Sequence, residues 1–380
     1  MPADIQKHTL LVVSDTAMIE NNGQVLVFDP VLRELKVIED MFDSIIWLGA
    51  TTLNNKPSLK PVKSSKVKII MLPCVSRNGF INTFFVLLAY PVILYQVLKY
   101  LHGATHVHTR GPSHPAFVAI LISLLDKKRI YAHKYAGEWT TNNIPFTYRV
   151  QRAILRRIRK NNVRVTISGR NSTNHHNVFD LKNPCIYENE LPGMNAAGRA
   201  KDFSGDLNLI FVGNMMPSKG ILKLLQAIKT GTLSKRYTSL YIVGGGRLLE
   251  EVKQQARSIT DLQIVVTGNL SREELNKLYA KAHILILPSS SESFPKVIAE
   301  AAAYGCIPVT TNLSAISKQV TDGVNGFLMN TTAYSDILDT LNKVAAQGTL
   351  KDVSNNAINM SQLFTYEYFR KSMSEVYSIA

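Results

Sequence analysis

Ile284-Leu285-Ile286-Leu287-Pro288-Ser289-Ser290-Ser291-Glu292-Ser293-Phe294-Pro295-Lys296-Val297-Ile298-Ala299-Glu300 is the stretch from which the fold can be read. Four consecutive apolar residues without alternation describe a buried strand, as in a parallel sheet covered by helices. The serine-rich segment behind it is a loop, and Pro295, with its fixed φ and no N–H, suits the first position of a helix. Strand, loop and helix in that order form one unit of a doubly wound α/β sheet, and such sheets bind ligands at the carboxyl ends of their strands. Glu292 falls in the loop and Glu300 about one and a half turns into the helix. Between them the N–H groups of Lys296 and Val297 point out of the helix start, where phosphate binds. Two carboxylates able to hold hydroxyls on either side of a phosphate cradle match a sugar nucleotide. The same residues also read as a surface loop and an ordinary amphipathic helix, with Glu300 paired to Lys296 in the poorer orientation, worth only ~0.2–0.5 kcal/mol.

The neighbouring segments favour the ligand. Phe211-Val212-Gly213-Asn214-Met215-Met216-Pro217-Ser218-Lys219-Gly220, Ile242-Val243-Gly244-Gly245-Gly246, Gly268 before Leu275, Tyr279 and Ala282, and Gly323-Val324-Asn325-Gly326-Phe327-Leu328 accompany the two glutamates. From Phe211 to Met329 the chain resembles, in order and spacing, the nucleotide-sugar-binding half of the family-4 retaining glycosyltransferases of the GT-B fold, also called group 1 glycosyl transferases. The first half of the chain resembles them in architecture only. The resemblance implies that Glu300 holds the ribose, Glu292 contacts the donor sugar and Lys219 neutralises the diphosphate. It also implies that Gly213, Asn214 and the loop Ser293, Phe294, Pro295, Lys296 and Val297 surround the nucleotide, the loop through backbone N–H groups. One departure stands out: the family's arginine after the first glycine is Asn214 here, which donates a hydrogen bond but carries no charge. Lys296 or Arg247 is expected to substitute for it, or turnover to be slow.

Composition sets the outer bounds. A chain of 380 residues is long enough for two or three domains, and 46% apolar residues argue against disorder. Met1 to Lys7 leads straight into Thr9-Leu10-Leu11-Val12-Val13, without the ordered segments of a secretory signal. Cys74, Cys185 and Cys306, odd in number and set among apolar residues, fit reduced thiols in the cytoplasm, with no zinc spacing. The excess of 43 Lys and Arg over 28 Asp and Glu implies an anionic partner. Much of it lies in Arg149, Arg152, Arg156, Arg157, Arg159, Lys160 and Arg164, which read either as a basic amphipathic helix on an anionic membrane surface or as a helix packed on its own domain. No nucleic-acid-binding pattern accompanies the charge. Ile81 to Leu101 has nearly the length of a membrane span, but Pro91, Asn82, Thr83, Gln96 and Lys99 argue for a helix partly buried in the domain or lying at an interface.

Apolar runs alternate with helical stretches through both halves, so two Rossmann-like doubly wound α/β domains facing a central cleft are expected. Expected strands are Leu10–Val13, Ser44–Leu48, Val67–Leu72, His106–Thr109, Ile130–His133 and Val163–Ser168, then Leu209–Val212, Leu240–Val243, Gln263–Val266, Ile284–Leu287, Ile307–Thr310 and Gly326–Met329. The domains divide as 1–190 for the acceptor, 191–208 as a linker lacking periodicity, 209–364 for the nucleotide sugar, and 365–380 as a helix that in the family crosses back. Gly244-Gly245-Gly246 lacks the third glycine of a dinucleotide fingerprint, Leu249 standing in its place.

Retaining transfer from a diphosphate needs positive charge where negative charge develops and an acceptor hydroxyl held close. In related enzymes the leaving phosphate takes the acceptor's proton, so no dedicated base, cofactor or metal is expected. In the first half the resemblance, in which a histidine often follows the corresponding strand, makes His133 the expected contact to the donor sugar, with Glu138 its competitor. His106, His108, Arg110 and His114 are candidates for an acceptor phosphate, and Asn21-Asn22-Gly23 for a phosphate-approaching loop. These readings describe a cytoplasmic enzyme, free or peripheral on the inner face of the membrane, that moves a sugar to a glycan or lipid-linked acceptor in polysaccharide synthesis. A sugar-nucleotide epimerase of the same fold and a non-catalytic partner subunit are the alternatives.

Overall fold

The structure, a computed structural model, describes residues 7–52, 58–73, 80–137, 139, 144–167, 175–292, 294–313 and 315–379. The chain divides into two compact units, Met1–Leu181 with Arg370–Ala380, and Lys182–Phe369. Cys74, Glu138, Ser168 and Ser293 lie outside the described residues.

The first unit contains β1 (Thr9–Asn21), β2 (Gln24–Phe28), α1 (Asp29–Ile38), β3 (Ser44–Thr51), β4 (Leu59–Pro61), β5 (Val67–Leu72), α2 (Phe80–Leu101), β6 (His106–Gly111), α3 (His114–Leu125), β7 (Ile130–Tyr135), α4 (Phe146–Arg157), β8 (Val163–Ile167) and β9 (Val178–Asp180). Strands β5, β3, β1, β6, β7, β8 and β9 run parallel in that order, and β2 and β4 add an antiparallel extension beside β1. Leu10, Leu11, Val13, Ile45, Val107, Tyr131 and Val165 are fully buried, as expected of strands covered on both faces. One expectation fails here. Asn21, expected with Asn22 and Gly23 in a phosphate-approaching loop, is instead the last residue of β1, and Asn22 and Gly23, with φ of 50° and 74°, form the turn of the β1–β2 hairpin. Asn-Gly is a strong hairpin signal because both residues tolerate the left-handed region that the turn requires. Of the two readings of the basic cluster, packing on its own domain holds for part of α4: Arg152 is buried, while the Arg156 guanidinium lies 5.1 Å from the centre of the Trp139 ring and donates to the Trp139 carbonyl. No helix among the described residues is long and apolar enough to cross a membrane.

The second unit contains α5 (Leu191–Arg199), β10 (Leu207–Val212), α6 (Ile221–Thr230), β11 (Tyr237–Val243), α7 (Leu249–Arg257), β12 (Gln263–Gly268), α8 (Arg272–Lys281), β13 (Ile284–Leu287), α9 (Lys296–Ala303), β14 (Ile307–Thr311), β15 (Phe327–Met329), α10 (Tyr334–Ala345), α11 (Leu350–Ser361) and the start of α12 (Tyr366–Tyr377). Its strands are all parallel, in the order β12-β11-β10-β13-β14-β15. That is the doubly wound order in which the strand sequence reverses between the first and fourth strands, here β10 and β13. The segment 191–208, expected as a linker, belongs to the body of this unit: α5 packs against α9 and α11. A Cβ on Gly198 would come within 2.7 Å of the backbone at Tyr304 and Gly305, so the helix rests directly on that turn. A nine-residue helix burying only Leu191, Met194 and Gly198 offers too little periodicity to be seen in sequence. From Arg370 onward α12 belongs to the first unit, where Arg370 pairs with Asp40 at 2.7 Å and Tyr377 is fully buried.

Candidate active site

The carboxyl ends of β10 and β13 flank the switch point of the second sheet, and there two loops are laced together. After β10, Pro217–Lys219 form one turn of 3-10 helix that ends at Gly220, which has a φ of 73°. A Cβ on Gly220 would fall on the Pro288 carbonyl oxygen, so only glycine lets this turn lie against the loop after β13. Ser290 donates its N–H to the Ser218 carbonyl at 2.8 Å. Lys219 and Glu292 close the link as an ion pair, and the Ser289 hydroxyl donates to the same carboxylate at 3.0 Å. Two residues 73 apart in sequence, expected to serve one ligand, are therefore in direct contact.

A third loop, after β11, meets the first. Gly213 donates its N–H to the Val243 carbonyl at 3.0 Å and Met215 to Gly245 at 2.7 Å. Gly244 and Gly246 have φ of 134° and 142°, and side chains there would strike Gly213 and Asn214. These glycines leave open a cavity of about 510 Å³ lined by Gly213, Asn214, Gly244–Gly246, Asn269, Leu270 and Leu275 among others. Backbone groups and small residues at three strand ends give a ligand access to N–H and C=O groups. The sequence reading placed Gly213 and Asn214 here but missed Asn269 and Leu270. The available signal was Gly268, which ends β12 and places the next two residues at the rim.

Helix α9 begins at Lys296, with Pro295 as the residue before it rather than its first turn. Lys296 and Val297 are thus its first two residues, whose N–H groups have no acceptor inside the helix. Phe294 does not line a site with its ring: it is buried and stacks on Phe364 at 4.5 Å, anchoring the loop to the core. The Glu300 carboxylate lies near Cys185 and Tyr279; burial first, and Glu300 second, raise the pKa of that thiol and that phenol. Arg272, which sequence reading did not single out, pairs with Glu190 at 3.0 Å in the same region.

In the first unit the expected contacts are overturned. His133 lies within β7, two residues short of its end, and is 0% exposed. Its ring nitrogens are hydrogen-bonded to Thr109 at 2.9 Å and Ser123 at 3.1 Å, and burial lowers its pKa to about 3. A neutral ring with both nitrogens engaged inside the unit has no face for a sugar. His106 donates through Nε2 to the Tyr377 carbonyl at 3.2 Å, and the His108 ring bonds the Tyr377 hydroxyl at 2.8 Å. Both lie under α12 and not at an acceptor phosphate. Arg110 and Lys134 share the Glu34 carboxylate at 2.5 and 2.8 Å, a buried network tying α1 to the sheet. His114 is hydrogen-bonded to the Tyr90 hydroxyl at 2.9 Å.

Residues 199–360 match the family model of glycosyl transferases group 1. A D-inositol 3-phosphate glycosyltransferase of Nocardioides sp. is 30% identical over 187 residues, which is 44% of this chain and 41% of that protein. A lipopolysaccharide 1,2-N-acetylglucosaminetransferase of Salmonella typhimurium is 28% identical over 159 residues, 39% of this chain and 42% of that protein. The matched stretch thus spans less than half of either relative. Among solved structures, Anabaena HepE in complex with UDP and glucose superposes with a TM-score of 0.66 at 14% identity, covering 98% of this chain and 99% of that one. The apo lipopolysaccharide outer core galactosyltransferase WaaB does so with a TM-score of 0.70 at 13% identity, covering 97% and 98%. The chain therefore resembles the group 1 glycosyltransferases through its second unit and has the GT-B fold over nearly its full length.

Proposed function

We propose that this chain is a retaining glycosyltransferase that moves a hexose from a nucleoside diphosphate sugar to a glycan or lipid-linked acceptor in polysaccharide synthesis. The observation that carries this reading is the meeting of Lys219 and Glu292 at the switch point of the second sheet, beside a glycine-lined cavity at the ends of β10–β12. A diphosphate placed on the start of α9 competes with Glu292 for Lys219. Its arrival frees the carboxylate to accept hydrogen bonds from the hydroxyls of the sugar. Glu300, about one turn along α9 from Lys296, holds the ribose. The bond from the anomeric carbon to the diphosphate oxygen breaks, the acceptor oxygen bonds that carbon on the same face, and its proton passes to the departing phosphate. Lys219 and the α9 N–H groups stabilise the charge that develops on the leaving group. No metal or cofactor is needed for that step, and nucleic acid is not a partner.

His133 has no part in this scheme, being buried and neutral. The working place is the cytoplasm, at the inner face of an anionic membrane, where a lipid-linked acceptor is met. The UDP bound in HepE makes UDP the first nucleotide to try.

The test is a thermal-shift panel with UDP, GDP, ADP and CMP on the wild type, Glu300→Ala and Lys219→Ala. A ligand at one hundred times its Kd stabilises the folded state by ~2.7 kcal/mol, well within reach of the method. A shift with one diphosphate that both variants lose supports the donor site and selects the sugar nucleotides for transfer assays. No shift with any nucleotide sinks the reading and leaves a non-catalytic subunit, for which Asn214 in place of an arginine is the sequence's own argument. Product formation from the sugar nucleotide without any acceptor would instead indicate epimerisation.

A further inference from the structure

The first unit turns an apolar surface outward. On α2, Leu88, Val92, Tyr95 and Leu98 recur every three or four residues along one side and are 55%, 43%, 60% and 49% exposed. The stripe Ala89, Ile93, Val97 and Leu101 on the same helix is buried in the core. Helix α3 packs against α2 and adds Leu121 and Leu125, the latter 86% exposed. A water-facing helix side ordinarily carries charge, yet α3 has none and Lys99 is the single charged residue from Leu88 to Leu101. Contiguous exposed apolar surface of this kind marks an interaction site.

The edge of this surface is cationic. Arg129 donates to the Leu101 and Ala104 carbonyls at 2.8 and 3.1 Å and pairs with Asp126 at 2.8 Å, so the carboxyl ends of α2 and α3 lie side by side. Lys127 and Lys128 follow α3 directly and are exposed, and Lys160 reaches the same end, donating to the Ser123 carbonyl at 2.7 Å. Lys99 sits over the Tyr95 ring at 5.9 Å. Asp126, the acid at this end, is already engaged by Arg129. Acidic lipid headgroups neutralise these lysines, whereas a second copy of a chain with 43 Lys and Arg against 28 Asp and Glu supplies little acid to do so.

We propose that the α2–α3 face is the docking surface of this protein for an anionic lipid bilayer. The leucines and Tyr95 enter the boundary between headgroups and acyl chains while the lysines at its edge meet lipid phosphates. This rests on the membrane part of the proposed function and moves the contact away from α4, two of whose arginines are engaged internally.

The full chain is co-sedimented with phosphatidylcholine vesicles with and without phosphatidylglycerol. Wild type is expected on the phosphatidylglycerol vesicles. Leu98→Gln with Leu125→Gln loses ~10-fold or more in affinity. Lys127→Ala with Lys128→Ala loses about 10-fold, with a weaker dependence on salt. Arg149→Ala with Arg157→Ala on α4 changes binding by less than about 3-fold. Each variant is also given the nucleotide that stabilises the wild type; an unchanged thermal shift shows that it is folded and separates this surface from the donor site. Wild type that ignores both vesicles, or leucine variants that sediment like wild type, would overturn the proposal. So would a wild-type dimer in light scattering that the leucine variants split, since the face would then belong to a second copy. Vesicle binding without any nucleotide shift leaves this surface standing and removes the donor reading.

Discussion

Lys219 and Glu292 show what one contact changes. The sequence singles out each for a separate part of the donor, and in the structure each is the other's partner. Among the described residues, Lys219→Ala leaves Glu292 with the Ser289 hydroxyl as its side-chain partner. Because Lys219 is a quarter exposed, water screens the pair, and the expected loss of stability is ~1–2 kcal/mol in urea unfolding. Turnover with the selected donor should fall by ~10²–10³, as when a donor to developing charge is removed. An unchanged rate would make the pair purely structural. His133 is the opposite case. His133→Ala removes a buried ring and takes the ring bond from the Thr109 hydroxyl, while Ser123 keeps its bond to the Ile120 carbonyl, so unfolding should shift by ~2–4 kcal/mol. Donor KM should stay within about twofold if the residue only supports packing, and a large KM rise at unaltered stability would restore it to the site.

At the scale of elements, the loops after β10, β11 and β13 depend on glycines at close approaches. Gly220→Ala forces a side chain into left-handed backbone, costing ~1–2 kcal/mol, and against the Pro288 carbonyl besides. The turn carrying Lys219 must then move. Gly220→Ala is therefore expected to lower the melting temperature and also abolish the nucleotide-induced shift, while Gly193→Ala, with open space around it, should do neither. Equal effects of the two substitutions would contradict the role given to this turn. Most strands were legible because their apolar runs are buried on both faces, and several extend further toward their carboxyl ends than hydrophobicity alone indicated. That difference matters in β7: two further residues of strand put His133 inside the sheet rather than at its edge.

At the scale of the whole molecule, buried histidines make the fold sensitive to acid. Burial lowers the pKa of His108 to about 3, with Arg110 and Lys134 adding to the effect, and burial alone lowers His133 to about 3. Between the ordinary histidine pKa of about 6.5 and these values the unfolded chain binds protons that the folded chain refuses. The stability they contribute is fully present above about pH 6.5 and is lost as pH falls toward about pH 3, at up to ~1.4 kcal/mol per pH unit for each. The urea midpoint should therefore drop between about pH 7 and about pH 5, and His133→Gln, which cannot take up the proton, should flatten that slope. A variant with the wild-type slope would show that His133 does not titrate on unfolding.

The strands along the chain and the strand–loop–helix motif of the second unit were readable in the sequence because strand, loop and glycine signals are local: they depend on neighbours a few residues away. The placement of α5 in the second unit, the hairpin that lengthens β1, the burial of His106, His108 and His133, and the pairing of Lys219 with Glu292 were not. Each is decided by residues far apart in the chain, through which face of a strand a helix covers and which loops a sheet's switch point brings together. Hydrophobic periodicity says that a side is covered, but only tertiary packing says by what, and it is the covering that turned a candidate catalytic histidine into part of the core.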